Sequence, residues 1–204
     1  MSDFFLAELA KPQPDPGGGA AAAHGALIAL ALLKKIFMLE YTRIQTKTHS
    51  ENWENKKIEL DSLGERMESL REEDRKIYPR LTQFRKSESN GEKFLKIVED
   101  SITVPLQIMK GAIEGLAIII WLGGHCKEIL KADLRVSAEL LEAALRGTYY
   151  IGRANLPLSR KLALPVIFEQ ELQNKLQEGQ KAFQQAITVL HPTRETISDD
   201  SYCR

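Results

Sequence analysis

The chain predicts an all-α fold, an antiparallel bundle of long helices. Two observations carry that prediction: apolar residues recur at spacings of three and four through most of the 204 residues, and no strand pattern competes. The periodic segments are joined by mostly short connections, which favours antiparallel neighbours. Their large apolar surface is compatible with self-association.

Ser2 or Asp3 caps a short first helix carrying Phe4, Phe5, Leu6 and Leu9, which ends before a proline-rich elbow from Lys11 to Pro16. Gly17, Gly18 and Gly19 then open into a helix from Ala20 to Phe37, whose small early residues predict close neighbours. A polar connection is expected around Gln45 to Asn55. Beyond it Leu60, Leu63, Met67, Leu70, Ile77, Leu81 and Phe84 form one stripe of a long helix, with Asp74 inside the stripe.

Ser87 to Gly91 breaks the pattern. A second long helix carries Phe94, Val98, Ile102, Leu106, Met109, Ile113, Leu116 and Ile120, with a bend expected at Pro105 and an end at Gly123 and Gly124. Asp133, Val136, Leu140, Ala144, Gly147 and Ile151 share a face of the next helix. Leu172, Leu176, Gly179, Phe183, Ala186 and Leu190 mark the last. Residues 1–190 read as a single domain and 191–204 as a polar tail.

Lysine plus arginine number 28 and so do aspartate plus glutamate, so no overall field draws the protein onto nucleic acid or anionic lipid. Two cysteines, Cys126 and Cys203, are too few for a disulfide framework or a cysteine zinc site. The nearly apolar run from Ala20 to Leu33 falls short of the roughly 20 residues a bilayer requires and reads as a buried helix. With no secretory signal in MSDFFLAELA, the expectation is a cytoplasmic protein without a membrane or nucleic-acid partner.

Several residues are candidates for chemistry. Pro14-Asp15-Pro16-Gly17-Gly18-Gly19 before a helix presents backbone amides at the positive end of the dipole, a cradle for a carboxylate or phosphate, or simply a tight loop. Asp133 opens an apolar helical face and reads either as a partly buried acid-base group or as a helix cap. Asp74 lies in a hydrophobic seam, where an ionised carboxylate needs compensation; it faces a cavity, or it turns outward to pair with Arg71 or Arg75. His24 reads as a proton-transfer group or a packing residue. Lys34, Lys35, Lys56, Lys57, Arg153, Arg160 and Lys161 either meet a polyanion or cover solvated helix faces. No HExxH, paired-cysteine or GxSxG pattern occurs, which argues against a zinc or serine hydrolase and is compatible with metal-free acid-base chemistry.

Taken in order along the chain, four blocks resemble the formiminotetrahydrofolate cyclodeaminase/methenyltetrahydrofolate cyclohydrolase family. They are Pro14-Asp15-Pro16-Gly17-Gly18-Gly19-Ala20-Ala21-Ala22-Ala23, Arg71-Glu72-Glu73-Asp74 with Tyr78, Val104-Pro105-Leu106, and Asp133 with Leu140 to Gly147 and Asn155-Leu156. The resemblance implies an all-helical, dimeric, metal-free enzyme, a lyase or hydrolase of one-carbon metabolism. It would act on the one-carbon unit held by two nitrogens of tetrahydrofolate, with the folate as substrate and no tightly bound cofactor.

The same resemblance makes Asp133 the catalytic carboxylate. It makes Gly17, Gly18, Gly19, Asp74 and Asn155 substrate-binding residues, with basic side chains on the folate glutamate tail. The chain departs from the family pattern at Ala20, Ala132 and Ile151, where serine, serine and asparagine are usual. Those losses set a second expectation beside the enzyme, a noncatalytic helical dimer that retains the scaffold.

Overall fold

The structure is a computed structural model, and it describes residues 4–13, 15–45, 51–86, 91–159 and 165–191. Its elements are α1 (Phe4–Leu9), α2 (Gly18–Gln45), α3 (Glu51–Lys86), α4 (Glu92–Gly123), α5 (Lys131–Ser159) and α6 (Pro165–Val189), with a single 3₁₀ turn at Glu128–Leu130. There is no strand among the described residues. Ser2, Asp3, Arg160, Lys161 and residues 192–204 lie outside them.

Three boundaries differ from expectation. The helix expected at Ala20 begins within the glycines, at Gly18, and runs to Gln45; the segment expected to be a connection as far as Asn55 is already α3 from Glu51. Glu51 and Glu54 in the first turn of α3 complement its dipole, so polar composition there marks a helix start rather than a loop.

Helices α2, α3, α4 and α5 pack in a ring, each against the next, and α6 lies outside along α4 and α5. Lys34 reaches Asp61 at 2.6 Å near mid-helix, while Gly19 meets Asp74 toward the other end, so α2 and α3 run antiparallel. Leu30, Leu33, Leu63, Met67, Met109, Leu116 and Leu141 fill the interior of the ring. Helix α4, flanked by α3, α5 and α6, buries most of its circumference and keeps charged residues such as Lys93, Lys96 and Lys110 on the remaining exposed strip.

Small residues set how closely the helices approach. A Cβ placed on Gly152 would stand 2.7 Å from Leu172 Cδ2, so α5 and α6 meet there only because that position is glycine.

Helix α4 continues through Pro105. Proline has no amide proton, so the Ser101 carbonyl one turn earlier loses its helical donor. The Asn155 side-chain amide of α5 replaces it, donating to Ser101 O at 2.8 Å. At the opposite end of the bundle Glu40 is 1 % exposed; Arg43 Nε donates to it at 2.6 Å and the Lys127 amide at 3.3 Å, so the charge is compensated.

The Ala20–Leu33 run, expected to be a buried helix, is buried on one side and exposes Ile28 and Ala31 on the other. Gly18–Ile44 is long and apolar enough by composition to cross a bilayer, and only 39 % of its most apolar window is buried. Ile28 and Leu39 are half exposed on that helix.

Candidate functional site

At one end of the ring the elbow before α2, the last turns of α3 and the last turns of α5 enclose a cavity of about 180 Å³. Its lining is Asp15, Gly17, Gly18, Gly19, Asp74, Arg75, Ile77, Tyr78, Leu81, Ile151 and Asn155. A larger hollow of about 620 Å³ on α2 is lined by Lys35, Met38, Leu39, Thr42 and Arg43, without a carboxylate or a histidine. Convergent polar groups and a perturbed acid, rather than volume, make the smaller cavity the candidate site.

Asp74 is the centre of it. The Ala20 backbone amide at the N-terminus of α2 donates to its carboxylate. A Cβ on Gly19 would fall on that carboxylate, 2.6 Å from Asp74 Cγ, so the glycine is what allows the acid to reach the amide. The cradle expected to receive a ligand anion is thus engaged by the protein's own aspartate, at the positive end of the helix dipole.

Burial raises the pKa of Asp74, the Ala20 amide lowers it, and the negative charge of Asp15 raises it again; the result is about 6 against an ordinary 3.8. Such a group accepts and returns a proton near neutral pH.

Asp74 does not turn outward to Arg71 or Arg75. Arg75 Nε lies 3.7 Å from Asp15 Oδ1 and its Nη1 lies 3.4 Å from Glu72, while Arg71 pairs with Glu68 and Glu72. Asp15 Oδ1 and Arg75 Nε are shielded from solvent without completing a hydrogen bond.

The structure therefore brings together five of the six residues singled out for function: Gly17, Gly18, Gly19, Asp74 and Asn155. It leaves Asp133 elsewhere. That aspartate sits in the first turn of α5, about 27 Å along the helix from Ile151 at ~1.5 Å per residue, where its charge complements the α5 dipole. The departure at Ala132 shares that distant turn, whereas Ile151 lines the cavity and the Ala20 amide meets Asp74 beside it.

His24 stacks on Phe5 with ring centroids 4.3 Å apart, and Arg71 Nη1 lies 3.3 Å from its Nδ1. It is a packing residue that helps hold α1 down. Lys34 and Lys57 pair with Asp61, Lys56 pairs with Glu59, and Arg153 lies over the Tyr149 ring at 5.9 Å; none of the described basic candidates lines the cavity.

Sequence reasoning missed Asp15 and Arg75 as site residues. Asp15 was in view within the glycine loop, and Arg75 as a partner for Asp74, but spacing along one helix does not reveal that the two belong to each other. Among the described residues no group of three or more His, Cys, Asp or Glu could hold a metal ion.

Fold and cavity define a class: a helical bundle that aims one perturbed carboxylate into a small pocket beside a glycine-opened helix. The family model described as formiminotransferase-cyclodeaminase matches residues 2–162, and the chain belongs to that family. Among solved structures it is similar to formiminotetrahydrofolate cyclodeaminase from Thermotoga maritima, with 17 % identity, a TM-score of 0.69, and coverage of 93 % of this chain and 96 % of that one. No curated protein matches the chain.

Proposed function

We propose that this chain is a folate one-carbon enzyme that closes the ring of formiminotetrahydrofolate with loss of ammonia, and that Asp74 moves the proton. The placement of Asp74, half-buried beside Gly19 with its pKa raised to about 6, is the observation that carries this reading. Membership of the formiminotransferase-cyclodeaminase family supports the substrate class.

In ring closure N10 of the folate attacks the carbon of the protonated formimino group, forming one C–N bond, and the bond to the terminal nitrogen breaks to release ammonia. The proton leaving N10 must reach the departing nitrogen. A carboxylate near pKa 6 takes that proton and returns it, and its negative charge steadies the cationic one-carbon centre. Hydrolytic opening of methenyltetrahydrofolate needs the same group to activate water, so cyclohydrolase activity is the alternative within this reading.

The cavity, at about 180 Å³, is smaller than the roughly 300–1,000 Å³ of pockets that enclose a whole drug-sized ligand, which suits the reacting head with the remainder outside. No cofactor is required. We further propose a cytoplasmic homodimer formed through the half-exposed apolar face of α2.

A second reading, a noncatalytic ligand-binding scaffold, is favoured by Ile151, an apolar side chain at the cavity wall where the family pattern has asparagine.

Absorbance assays with formiminotetrahydrofolate and methenyltetrahydrofolate decide between them. Turnover is expected in wild type, is expected to fall ~10²–10⁴-fold in Asp74→Asn, and is expected to change only a few-fold in Asp133→Asn. An inactive Asp133→Asn beside an active Asp74→Asn would overturn the assignment. No turnover and no folate binding in wild type would leave the scaffold.

A further inference from the structure

We propose that Asp15 is a second ligand-reading carboxylate of this cavity, selecting a planar cation with N–H donors such as an amidinium, while Arg75 restrains it. The proposal rests on the reading of the cavity as the substrate site.

Asp15 enters the cavity from the elbow and Asp74 from α3, so two carboxylates on separate elements face one space. The charged and titratable groups that line it are Asp15, Asp74, Arg75 and Tyr78. Arg75 is the cation among them, and it is divided between Asp15 at 3.7 Å and Glu72 at 3.4 Å. The local balance is negative. An anionic head would also find the Ala20 amide already engaged by Asp74.

The contact between Asp15 and Arg75 is an unfinished one. Their facing atoms, Oδ1 and Nε, are shielded from water and neither completes a hydrogen bond. Oδ1 is closed off by Arg75, so a ligand reaches it only as Arg75 shifts aside, and the acceptor then gains a completed hydrogen bond. A ligand N–H supplies one, and a cation supplies it with charge. Ile77, Leu81 and Ile151 give the remaining wall an apolar surface against which a flat group can lie.

Benzamidinium, with neutral benzamide and anionic benzoate as controls, tests this by calorimetry at pH 8 on the full chain. Wild type is expected to bind benzamidinium at least about tenfold more tightly than benzamide and not to bind benzoate. Asp15→Asn is expected to lose about tenfold in benzamidinium affinity with benzamide unchanged. Arg75→Gln, which removes the restraining charge, is expected to raise benzamidinium affinity a few-fold, whereas a purely structural ion pair would make both variants weaken it. Thermal melts establish that each variant is folded.

No preference for benzamidinium in wild type, or an unchanged Asp15→Asn, would overturn the proposal. An amidinium preference lost in Asp15→Asn, in a protein that turns over neither folate, would uphold the role of Asp15 and sink the folate reading instead. Folate turnover with KM unchanged in Asp15→Asn would do the reverse.

Discussion

Asp74 must be buried to have a useful pKa, and burying it opposes folding. Its folded pKa of about 6 lies above the unfolded 3.8, so the native state binds the proton more tightly. The resulting stabilisation is complete below the unfolded value and is lost as pH rises through about 6. The shift corresponds to about 3 kcal/mol at most, reduced by the partial exposure of the group. Asp74→Asn keeps an acceptor for the Ala20 amide but carries no charge. Relative to wild type it is therefore expected to gain stability between pH 5 and pH 8 while losing turnover, as measured by urea unfolding at both values. Parallel pH profiles for the two proteins would refute this. Asp74 was visible in the sequence because it interrupts an apolar stripe. Its neighbours Gly19 and Asp15 stand more than fifty positions earlier in the chain, so the reason it tolerates burial was not. Asp133 was legible as a carboxylate heading an apolar face, which looks the same in sequence whether it meets a ligand or a helix dipole.

Among the helices, α4 and α5 show how one element repairs another. Pro105 removes the donor to Ser101 O, and Asn155 supplies it from the neighbouring helix. Removing Asn155 alone leaves a buried carbonyl unsatisfied, at about 1–3 kcal/mol. Asn155→Ala is expected to destabilise by that amount. In Pro105→Ala the backbone regains its own amide, so adding Asn155→Ala is expected to cost less, a coupling of ~1 kcal/mol in a double-mutant cycle by denaturant unfolding. Additive effects would mean that Asn155 serves the ligand alone. The sequence displayed Val104-Pro105-Leu106 and Asn155-Leu156 as separate marks; their pairing depends on the antiparallel contact of α4 and α5. Periodicity located the described helices well and their ends less well, because Glu51 and Glu54, as polar as any loop, begin α3.

At the scale of the whole molecule the bundle leaves α2 unevenly covered. Helices α3 and α5 flank it and its inner face meets α4, yet Ile28 is 50 % and Leu39 52 % exposed. An amphipathic surface helix would carry polar residues there; α2 instead is apolar on both sides, as a helix with partners all around would be. The apolarity was legible in the sequence, but the exposure was not, since the run from Ala20 to Leu33 reads like any core helix until its neighbours are placed. Two environments satisfy such a face, a second copy of the chain or a lipid surface, and they differ in a simple measurement. Sedimentation equilibrium of the purified chain without detergent is expected to give twice the mass of one chain. Ile28→Glu with Leu39→Glu is expected to shift it to a monomer that still shows the helical circular dichroism of wild type, because neither side chain belongs to the buried core. A chain that sediments as a monomer in wild type, or that remains in solution only with detergent, would leave the α2 face to a different partner.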